Sequence, residues 1–342
     1  MSTKKNLGQF FTTNADYIFK DMIIPDNVNI IEPFAGSMDL VYWANSLNYS
    51  VKEMYDIEPR NECVIKRDTL MEPPDYRDKF VLTNPPYLAR NKSVCKNIFD
   101  KYATNDLYKC FLYSIKDCVG GLIIIPAGFF MSPRELDVKC RTEFMSRFTI
   151  KRVNYFEEKV FVDTSTTVVA ILFERNEMHM TSQNVQWCIF PKMNVKNFDM
   201  RKEYGWMIGG DIYNINSSSD IKIRRYVSGM SFKNNEYISC LTLHALDSGS
   251  HDGRIKLVYD KEPYEGKPTS RSFATLCFNT ILTDDEQRKI AIDFTRFIEE
   301  KRTEYDSLFL PMYRETKDYA RKRIPFDLAY NIVLYIIDHL RS

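Results

Sequence analysis

The stretch Phe80-Val-Leu-Thr-Asn-Pro-Pro-Tyr87 joins an apolar run to a rigid turn. The apolar residues Phe80 to Leu82 predict a buried strand. The two prolines that follow end this strand, because proline has no N–H to donate to a sheet ladder. Asn84 therefore stands at the carboxyl end of a strand, where ligands bind in open α/β sheets. The stretch predicts both the class of fold and the location of its functional site.

Short apolar runs alternate with longer amphipathic stretches on both sides of this turn, as far as Phe173. This alternation is typical of β-α-β units and predicts an α/β, Rossmann-like fold with a mostly parallel sheet. After Glu174 the composition changes to Asn, Ser, Gln and Met, which indicates a domain boundary. We therefore predict one domain over residues 1–178 and a smaller α+β domain over residues 179–342. A capping box, Thr283-Asp-Asp-Glu286, predicts the start of a helix in the second domain.

The composition of the 342-residue chain excludes several classes of protein. Hydrophobic residues at 44% and charged residues at 27% are typical of a globular protein rather than a disordered one. With 47 basic and 46 acidic residues, a nucleic acid would have to be bound by a local patch. Eight cysteines without a C-x-x-C pair predict no metal site. Since no stretch is apolar enough for a membrane span, we expect a cytoplasmic protein without a membrane partner.

Two more predicted strand ends carry acidic residues. Ile31-Glu-Pro-Phe-Ala-Gly36 ends the first strand with the acceptor Glu32 and with a glycine that permits close approach of a ligand. Met54-Tyr-Asp-Ile57 ends the second strand with another acid. Together with Asn84-Pro-Pro-Tyr87, these stretches resemble the motifs of the S-adenosylmethionine-dependent amino-methyltransferases, above all the N6-adenine DNA methyltransferases. Their order resembles the gamma arrangement found in type II restriction–modification systems.

The resemblance implies that this protein transfers a methyl group from S-adenosylmethionine to N6 of an adenine in a short duplex DNA sequence. The Asn84 side-chain oxygen and the Pro85 carbonyl oxygen would accept the two N–H groups of the adenine amino group. The nitrogen lone pair would then be localised and oriented for attack on the methyl group. Pro86 would help to keep the loop stiff, and Tyr87 would stack on a base flipped out of the duplex.

The same resemblance implies a binding site for S-adenosylmethionine. The segment Asn6-Leu-Gly-Gln-Phe-Phe-Thr12 would close over the methionine end of the cofactor. Glu32 would accept from the ammonium group, and Asp56 would accept from the ribose hydroxyls. Met38 stands where the family has a second glycine. The implied cofactor residues are Gly8, Phe11, Thr12, Glu32, Phe34, Ala35, Gly36, Asp56, Ile57, Asp68 and Thr69.

Double-stranded DNA is the partner that the resemblance implies, together with a cognate restriction endonuclease acting on the same site. In the first domain, Phe161 would sandwich the flipped base. The second domain would read the DNA sequence, since arginine and histidine can reach base edges while lysine binds phosphates. Its candidate contacts are Lys222, Arg224, Arg225, His251, Arg254, Lys267 and Arg271.

Several other activities compete with this interpretation. A cytosine-C5 methyltransferase is excluded because no proline here is followed by the cysteine nucleophile. A nicotinamide oxidoreductase would need G-x-G-x-x-G after the first strand, and this motif is absent. An RNA or protein-glutamine methyltransferase could use the same Asn-Pro-Pro-Tyr chemistry. A DNA-binding module with an inactive methyltransferase domain is the other open alternative, for which Met38 is the best argument.

Overall fold

A computed structural model describes residues 12–161, 164, 166–233, 235–247, 254–312 and 321–341. Their contacts divide the chain into two units, one ending at Met207 and the other beginning at Ile208. Each unit has its own sheet and its own buried core.

The first unit is built on a nine-stranded sheet with the strand order β3-β2-β1-β4-β5-β7-β6-β8-β9. The strands are β1 (Asn29–Glu32), β2 (Val51–Asp56), β3 (Ile65–Lys66), β4 (Lys79–Thr83), β5 (Gly120–Pro126), β6 (Phe148–Phe156), β7 (Val168–Arg175), β8 (Ser182–Phe190) and β9 (Asn194–Arg201). Five of the eight strand pairings among these described residues are parallel. The prediction of an α/β, Rossmann-like fold with a mostly parallel sheet is confirmed.

The strand order reverses between β1 and β4. β1 pairs in parallel with β2 on one side and with β4 on the other, so the chain crosses over at this point. The connecting helices are α1 (Ala15–Ile18), α2 (Asp39–Ser46), α3 (Asn97–Lys101), α4 (Leu107–Ser114), α5 (Gly128–Met131) and α6 (Glu135–Met145). A reversal of this kind leaves a crevice at the carboxyl ends of the two strands, which is where α/β proteins bind ligands.

The central strands β4 and β5 are buried almost throughout. Val81 and Leu122 are inaccessible to solvent, as expected for parallel strands whose two faces are covered. Gly121 is needed in β5, because a Cβ atom there would lie 2.8 Å from the carbonyl oxygen of Val81 in β4. The two strands are therefore closely packed at this position.

The boundary between the two units lies after Met207 rather than after residue 178. β8 pairs in parallel with β6, and β9 pairs with β8, so both strands extend the first sheet. Trp187 and Phe198 bury their side chains there. The polar composition after Glu174 therefore reflects loops and an edge strand, whose alternate residues face solvent, rather than a domain boundary.

The second unit has a four-stranded antiparallel sheet in the order β10-β14-β11-β13 and a two-stranded pair of β12 with β15. These strands are β10 (Ile223–Arg225), β11 (Tyr237–His244), β12 (Leu246–Asp247), β13 (Lys256–Tyr259), β14 (Phe273–Phe278) and β15 (Lys322–Arg323). Two helices, α7 (Asp284–Tyr305) and α8 (Phe326–Arg341), share its apolar core. The smaller second part is therefore α+β, as predicted.

The capping box predicted for the second unit is present at the start of α7. The Glu286 amide donates to Thr283 Oγ1 at 3.2 Å, and the Thr283 amide donates to Glu286 Oε2 at 2.7 Å. Ile290 and Phe294 then point into the core. None of the helices in the described ranges is both long and apolar enough to cross a membrane.

Candidate active site

Glu32 and Thr83 link the carboxyl ends of β1 and β4. The Thr83 hydroxyl donates a hydrogen bond to Glu32 Oε1, and the Phe34 amide donates to the same oxygen at 3.0 Å. The Glu32 side chain is only 1% exposed. The switch point of the sheet therefore holds a buried carboxyl group between two loops.

Burial is the main reason why the pKa of Glu32 is raised from 4.5 to about 8. The hydrogen bonds from Thr83 and Phe34 lower this pKa, and the negative charge of Asp56 raises it further. The carboxyl group is therefore mostly protonated at neutral pH. Such a group can ionise when a cation arrives beside it, because an adjacent opposite charge favours the charged form.

Asp56, the last residue of β2, ties the loop after β1 to its own strand. Its Oδ2 accepts from the Gly36 amide at 2.8 Å, and its Oδ1 accepts from the Glu58 amide at 2.8 Å. The Ala35 amide donates to the Tyr55 carbonyl at 2.8 Å. A buried carboxylate and a glycine in the left-handed region, with φ of 51°, thus shape the start of this loop.

Met38 adopts a backbone conformation that favours glycine. Its φ is 68° and its ψ is 19°, in the left-handed region, which costs an ordinary residue about 1–2 kcal/mol. The side chain is buried with Ala35, Val41 and Val64 in a small apolar cluster. The loop therefore keeps the backbone that a second glycine would favour, and it gains a buried side chain.

The loop after β3 is attached to the loop after β1. The buried Thr69 hydroxyl donates to the Pro33 carbonyl at 3.0 Å. Asp68 Oδ1 accepts from the Leu70 and Met71 amides at 3.1 and 3.0 Å, which closes a turn. Thr69 thus attaches its loop to the loop after β1, and the Arg67 amide attaches the same segment to the Asp56 carbonyl at 2.9 Å. Ile57, the next residue after Asp56, is exposed.

Asn84 is the centre of a hydrogen-bonded chain of side chains. Its Nδ2 donates to Thr12 Oγ1 at 3.1 Å, and its Oδ1 accepts from the Tyr87 hydroxyl. The Tyr87 hydroxyl also faces the Ile124 carbonyl oxygen at 2.8 Å. Pro85 and Pro86 are buried between Asn84 and Tyr87. The turn after β4 is therefore attached both to β5 and to the segment that precedes β1.

The two aromatic rings predicted to stack on a base are both buried. The Tyr87 ring is 9% exposed and lies edge-on to Tyr108, with 6.5 Å between the ring centroids. Burial also raises the pKa of the Tyr87 hydroxyl well above its usual range. Phe161 is 3% exposed. The stacking role of both rings stays a prediction.

Three of the arginines predicted to contact DNA have partners within the second unit. Arg224 forms an ion pair with Glu236. Arg225 donates to the Ser270 and Pro268 carbonyls at 2.6 and 2.7 Å. Arg254 lies 2.7 Å from a carboxylate oxygen of Glu299. The other described candidates, Lys222, Lys267 and Arg271, are exposed, and the candidate His251 lies outside the described residues. The predicted cofactor residues Gly8 and Phe11 also lie outside the described residues.

Sequence reasoning missed several residues that hold the site in place. Thr83 and Ile124 contact Glu32 and Tyr87, yet each is an ordinary strand residue in the sequence. Asp106 lies directly before α4, and burial raises the pKa of its carboxyl group to about 6, against the charge of Lys109.

No protein-family model matches the sequence, and no curated protein matches it. A modification subunit assigned to a type I restriction enzyme, from Vibrio vulnificus YJ016, is similar in structure with a TM-score of 0.43, at 15% identity over 56% of this chain and 49% of that chain. The methyltransferase subunit of a type I restriction–modification system from Streptococcus thermophilus has a TM-score of 0.41, at 17% identity over 54% of this chain and 48% of that one. The type IIG restriction endonuclease BpuSI has a TM-score of 0.40, at 13% identity over 67% of this chain and 36% of that one.

This chain spans less than half the length of each of those three proteins. Its own strand order, with a crossover between β1 and β4, makes it an α/β protein of the Rossmann-like class. Its candidate site lies at the carboxyl ends of these two strands.

Proposed function

We propose that this protein is an S-adenosylmethionine-dependent DNA methyltransferase that acts on N6 of adenine. The observation that carries the proposal is the position of Asn84. Its side-chain amide is held at the carboxyl end of β4 by Thr12 and Tyr87. The buried carboxyl group of Glu32 stands at the end of the adjacent strand β1.

The acidic residues of the site fit the cofactor. Glu32 is a buried acceptor that can ionise beside the ammonium group of the methionine part. The two oxygens of Asp56 each accept one backbone N–H and each can accept a second hydrogen bond, which suits the two ribose hydroxyls. Ile57 presents an exposed apolar side chain for the adenine ring. When bound, S-adenosylmethionine would supply a methyl group from a positively charged sulfur. The sulfur would be left as a neutral thioether, and one proton of the amino group would pass to solvent.

Asn84 and Pro85 would orient the amino group of the substrate. The Asn84 side-chain oxygen accepts one N–H, and the Pro85 carbonyl oxygen accepts the other. With both protons held, the nitrogen lone pair points at the methyl group instead of mixing with the ring. The acceptors are fixed before the reaction, so they stabilise the charge that develops on the nitrogen without reorganising. The stiffness of the double proline keeps this arrangement.

The substrate base would be flipped out of duplex DNA, with Tyr87 and Phe161 stacking on it. Both rings are buried, so we expect them to become accessible when DNA binds. The second unit would hold the duplex and read its sequence, and a cognate endonuclease would recognise the same site. Since Arg224, Arg225 and Arg254 have internal partners, the exposed Lys222, Lys267 and Arg271 are the better candidates for phosphate contacts.

Incubation with methyl-labelled S-adenosylmethionine and unmethylated duplex DNA tests the proposal. Nucleoside analysis should find the label in N6-methyladenine. Asn84→Ala should lower turnover by about 10²–10³-fold, as expected when one preorganised polar group is lost. Asn45→Ala, an exposed change in α2, is the matched control and should behave as the wild type.

The alternatives give different results in the same assay. Label in RNA or in protein glutamine, with none in DNA, would overturn the proposal. Binding of duplex DNA without any methyl transfer, and without binding of the cofactor in calorimetry, would instead identify an inactive DNA-binding module.

A further inference from the structure

An exposed aromatic patch lies at one end of the four-stranded sheet in the second unit. Phe273 is 43% exposed and Tyr264 is 45% exposed. Their ring centroids are 6.2 Å apart. The His244 ring lies edge-on to Phe273 at 4.8 Å, and these two residues are cross-strand neighbours. Two adjacent large rings that are each nearly half exposed form a candidate contact surface.

The backbone around these rings is fixed by internal hydrogen bonds. The Tyr264 amide donates to Thr275 Oγ1 at 2.8 Å, which attaches the loop to the sheet. Farther along the loop, the Arg225 guanidinium donates to the Ser270 and Pro268 carbonyls. Rings on a fixed backbone lose little conformational entropy when a partner binds them, so the patch is preorganised.

Three cations neighbour the aromatic residues, either across the sheet or along the loop. Lys256 pairs with His244 across the sheet. Burial lowers the pKa of His244, and the positive charge of Lys256 lowers it further. Lys267 and Arg271 are exposed and belong to the loop that joins Tyr264 to Phe273. None of the three cations lies within 4.0 Å of a carboxylate in the part of the chain that the structure describes.

Charged residues are unevenly placed in the connection between β13 and β14. Asp260, Lys261, Glu262 and Glu265 precede Gly266, whereas Lys267 and Arg271 follow it. Gly266 is buried and bridges to Val227. The segment after Gly266 therefore brings only positive charge to the rings, which is the complement of a polyanion.

We propose that Tyr264, Phe273 and His244, with Lys256, Lys267 and Arg271, bind a DNA strand through an unstacked base and its flanking phosphates. That the polyanion is DNA rests on the proposed function. Aromatic rings stack on the faces of unpaired bases irrespective of sequence, and neighbouring cations follow the backbone. A site that binds an aliphatic protein surface would not require the cations. A site that binds by charge alone would not require the exposed rings.

The proposal is tested by anisotropy of a fluorescein-labelled 16-nucleotide single-stranded DNA over a series of salt concentrations. Phe273→Ala should weaken binding by about 5- to 150-fold and leave the salt slope unchanged, because stacking releases no counterions. The double change Lys267→Ala with Arg271→Ala should lower that slope by about 0.7 for each lost phosphate contact. Ile292→Ala, an exposed apolar change on α7, is the matched control and should bind as the wild type.

A second variant separates loss of stacking from misfolding. The chain has three tryptophans, Trp43, Trp187 and Trp206, and all of them belong to the first unit. Phe273→Trp keeps an aromatic ring and adds a fluorescent reporter to the second unit, so its emission should be quenched when the same DNA binds.

Other outcomes would overturn the proposal. They are affinity of Phe273→Ala within twofold of the wild type, an unquenched Phe273→Trp, or tenfold tighter binding of an RNA of the same sequence. The proposed methyl transfer is measured separately, so a protein that binds DNA through Phe273 but transfers no methyl group would contradict only the proposed function.

Discussion

The Tyr87 hydroxyl donates a hydrogen bond to Asn84 Oδ1 from three residues further along the chain. The same hydroxyl faces the Ile124 carbonyl in β5, although it has only one proton to share between the two acceptors. On the other side of the amide, Asn84 Nδ2 is held by Thr12. The orientation of the Asn84 amide is therefore determined by the hydroxyl groups of Thr12 and Tyr87. A carboxamide oxygen can accept two hydrogen bonds, so contact with Tyr87 is compatible with contact to a substrate.

The first prediction concerns this positioning role of Tyr87. Tyr87→Phe keeps the ring and removes the hydroxyl, so turnover should fall by about 5- to 100-fold, as expected for loss of one buried hydrogen bond that orients a reacting group. Cofactor affinity should stay the same. Tyr49→Phe is the matched control, because its hydroxyl also donates to a carbonyl, that of Ile24 at 3.0 Å. An equal loss of turnover in both variants would contradict the positioning role.

The second prediction concerns Asp56. Asp56→Ala removes the acceptor that holds the Gly36 and Glu58 amides, and it also removes the proposed partner of the ribose hydroxyls. Affinity for S-adenosylmethionine, measured by calorimetry, should fall by at least about tenfold, since a charged hydrogen bond contributes roughly 1.5–3 kcal/mol. Asn84→Ala, measured alongside, should bind the cofactor with nearly wild-type affinity. The roles are wrongly assigned if the two variants lose equal affinity.

The third prediction concerns the pH dependence of stability at Glu32. Its pKa is about 8 in the folded protein and about 4.5 as its ordinary value, so the folded state keeps this proton up to a higher pH than the unfolded state does. This residue therefore lowers the free energy of unfolding as the pH rises from about 4.5 to about 8. Glu32→Gln has no such group. As the pH rises across this window, the free energy of unfolding of Glu32→Gln should increase relative to that of the wild type. The increase should be a few kcal/mol at most, given about 1.4 kcal/mol for each pKa unit.

Urea denaturation of both proteins at several values of pH between 4.5 and 8 measures this difference. The same Glu32→Gln protein should bind S-adenosylmethionine more weakly than the wild type, because a neutral amide does not balance an ammonium charge. A variant that is less stable than the wild type by the same amount at every pH would show that Glu32 acts through packing alone.

The fourth prediction concerns the backbone of Met38. Met38→Ala and Met38→Gly both remove a buried side chain from the small cluster with Val41 and Val64. Only glycine also removes the cost of a left-handed conformation, so Met38→Gly should be the more stable of the two by about 1 kcal/mol in urea denaturation. At Val41, inside α2, the order should be the opposite, with alanine the more stable. If the alanine variant is the more stable one at both positions, the φ of Met38 carries no cost.

The sequence alone was sufficient for the strand that ends at Thr83 and the rigid turn that follows it. An apolar run and two prolines restrict the backbone locally, whatever the rest of the chain does. The acidic strand ends at Glu32 and Asp56 and the capping box before α7 could be predicted for the same reason. In each case a short piece of chain determines the local backbone, although Glu32 and Asp56 also bind partners that are distant in sequence.

Only the tertiary structure decided how these pieces meet. Thr83 and Glu32 are 51 positions apart, and their hydrogen bond forms because β1 and β4 are neighbours in the sheet. Asn84 and Thr12 are 72 positions apart, and the fold brings them together as well. The placement of β8 beside β6 likewise follows from strand pairing, which the polar composition of that region does not reveal. Long-range contacts depend on strand order and register, and these arise from packing the whole core rather than from any one segment.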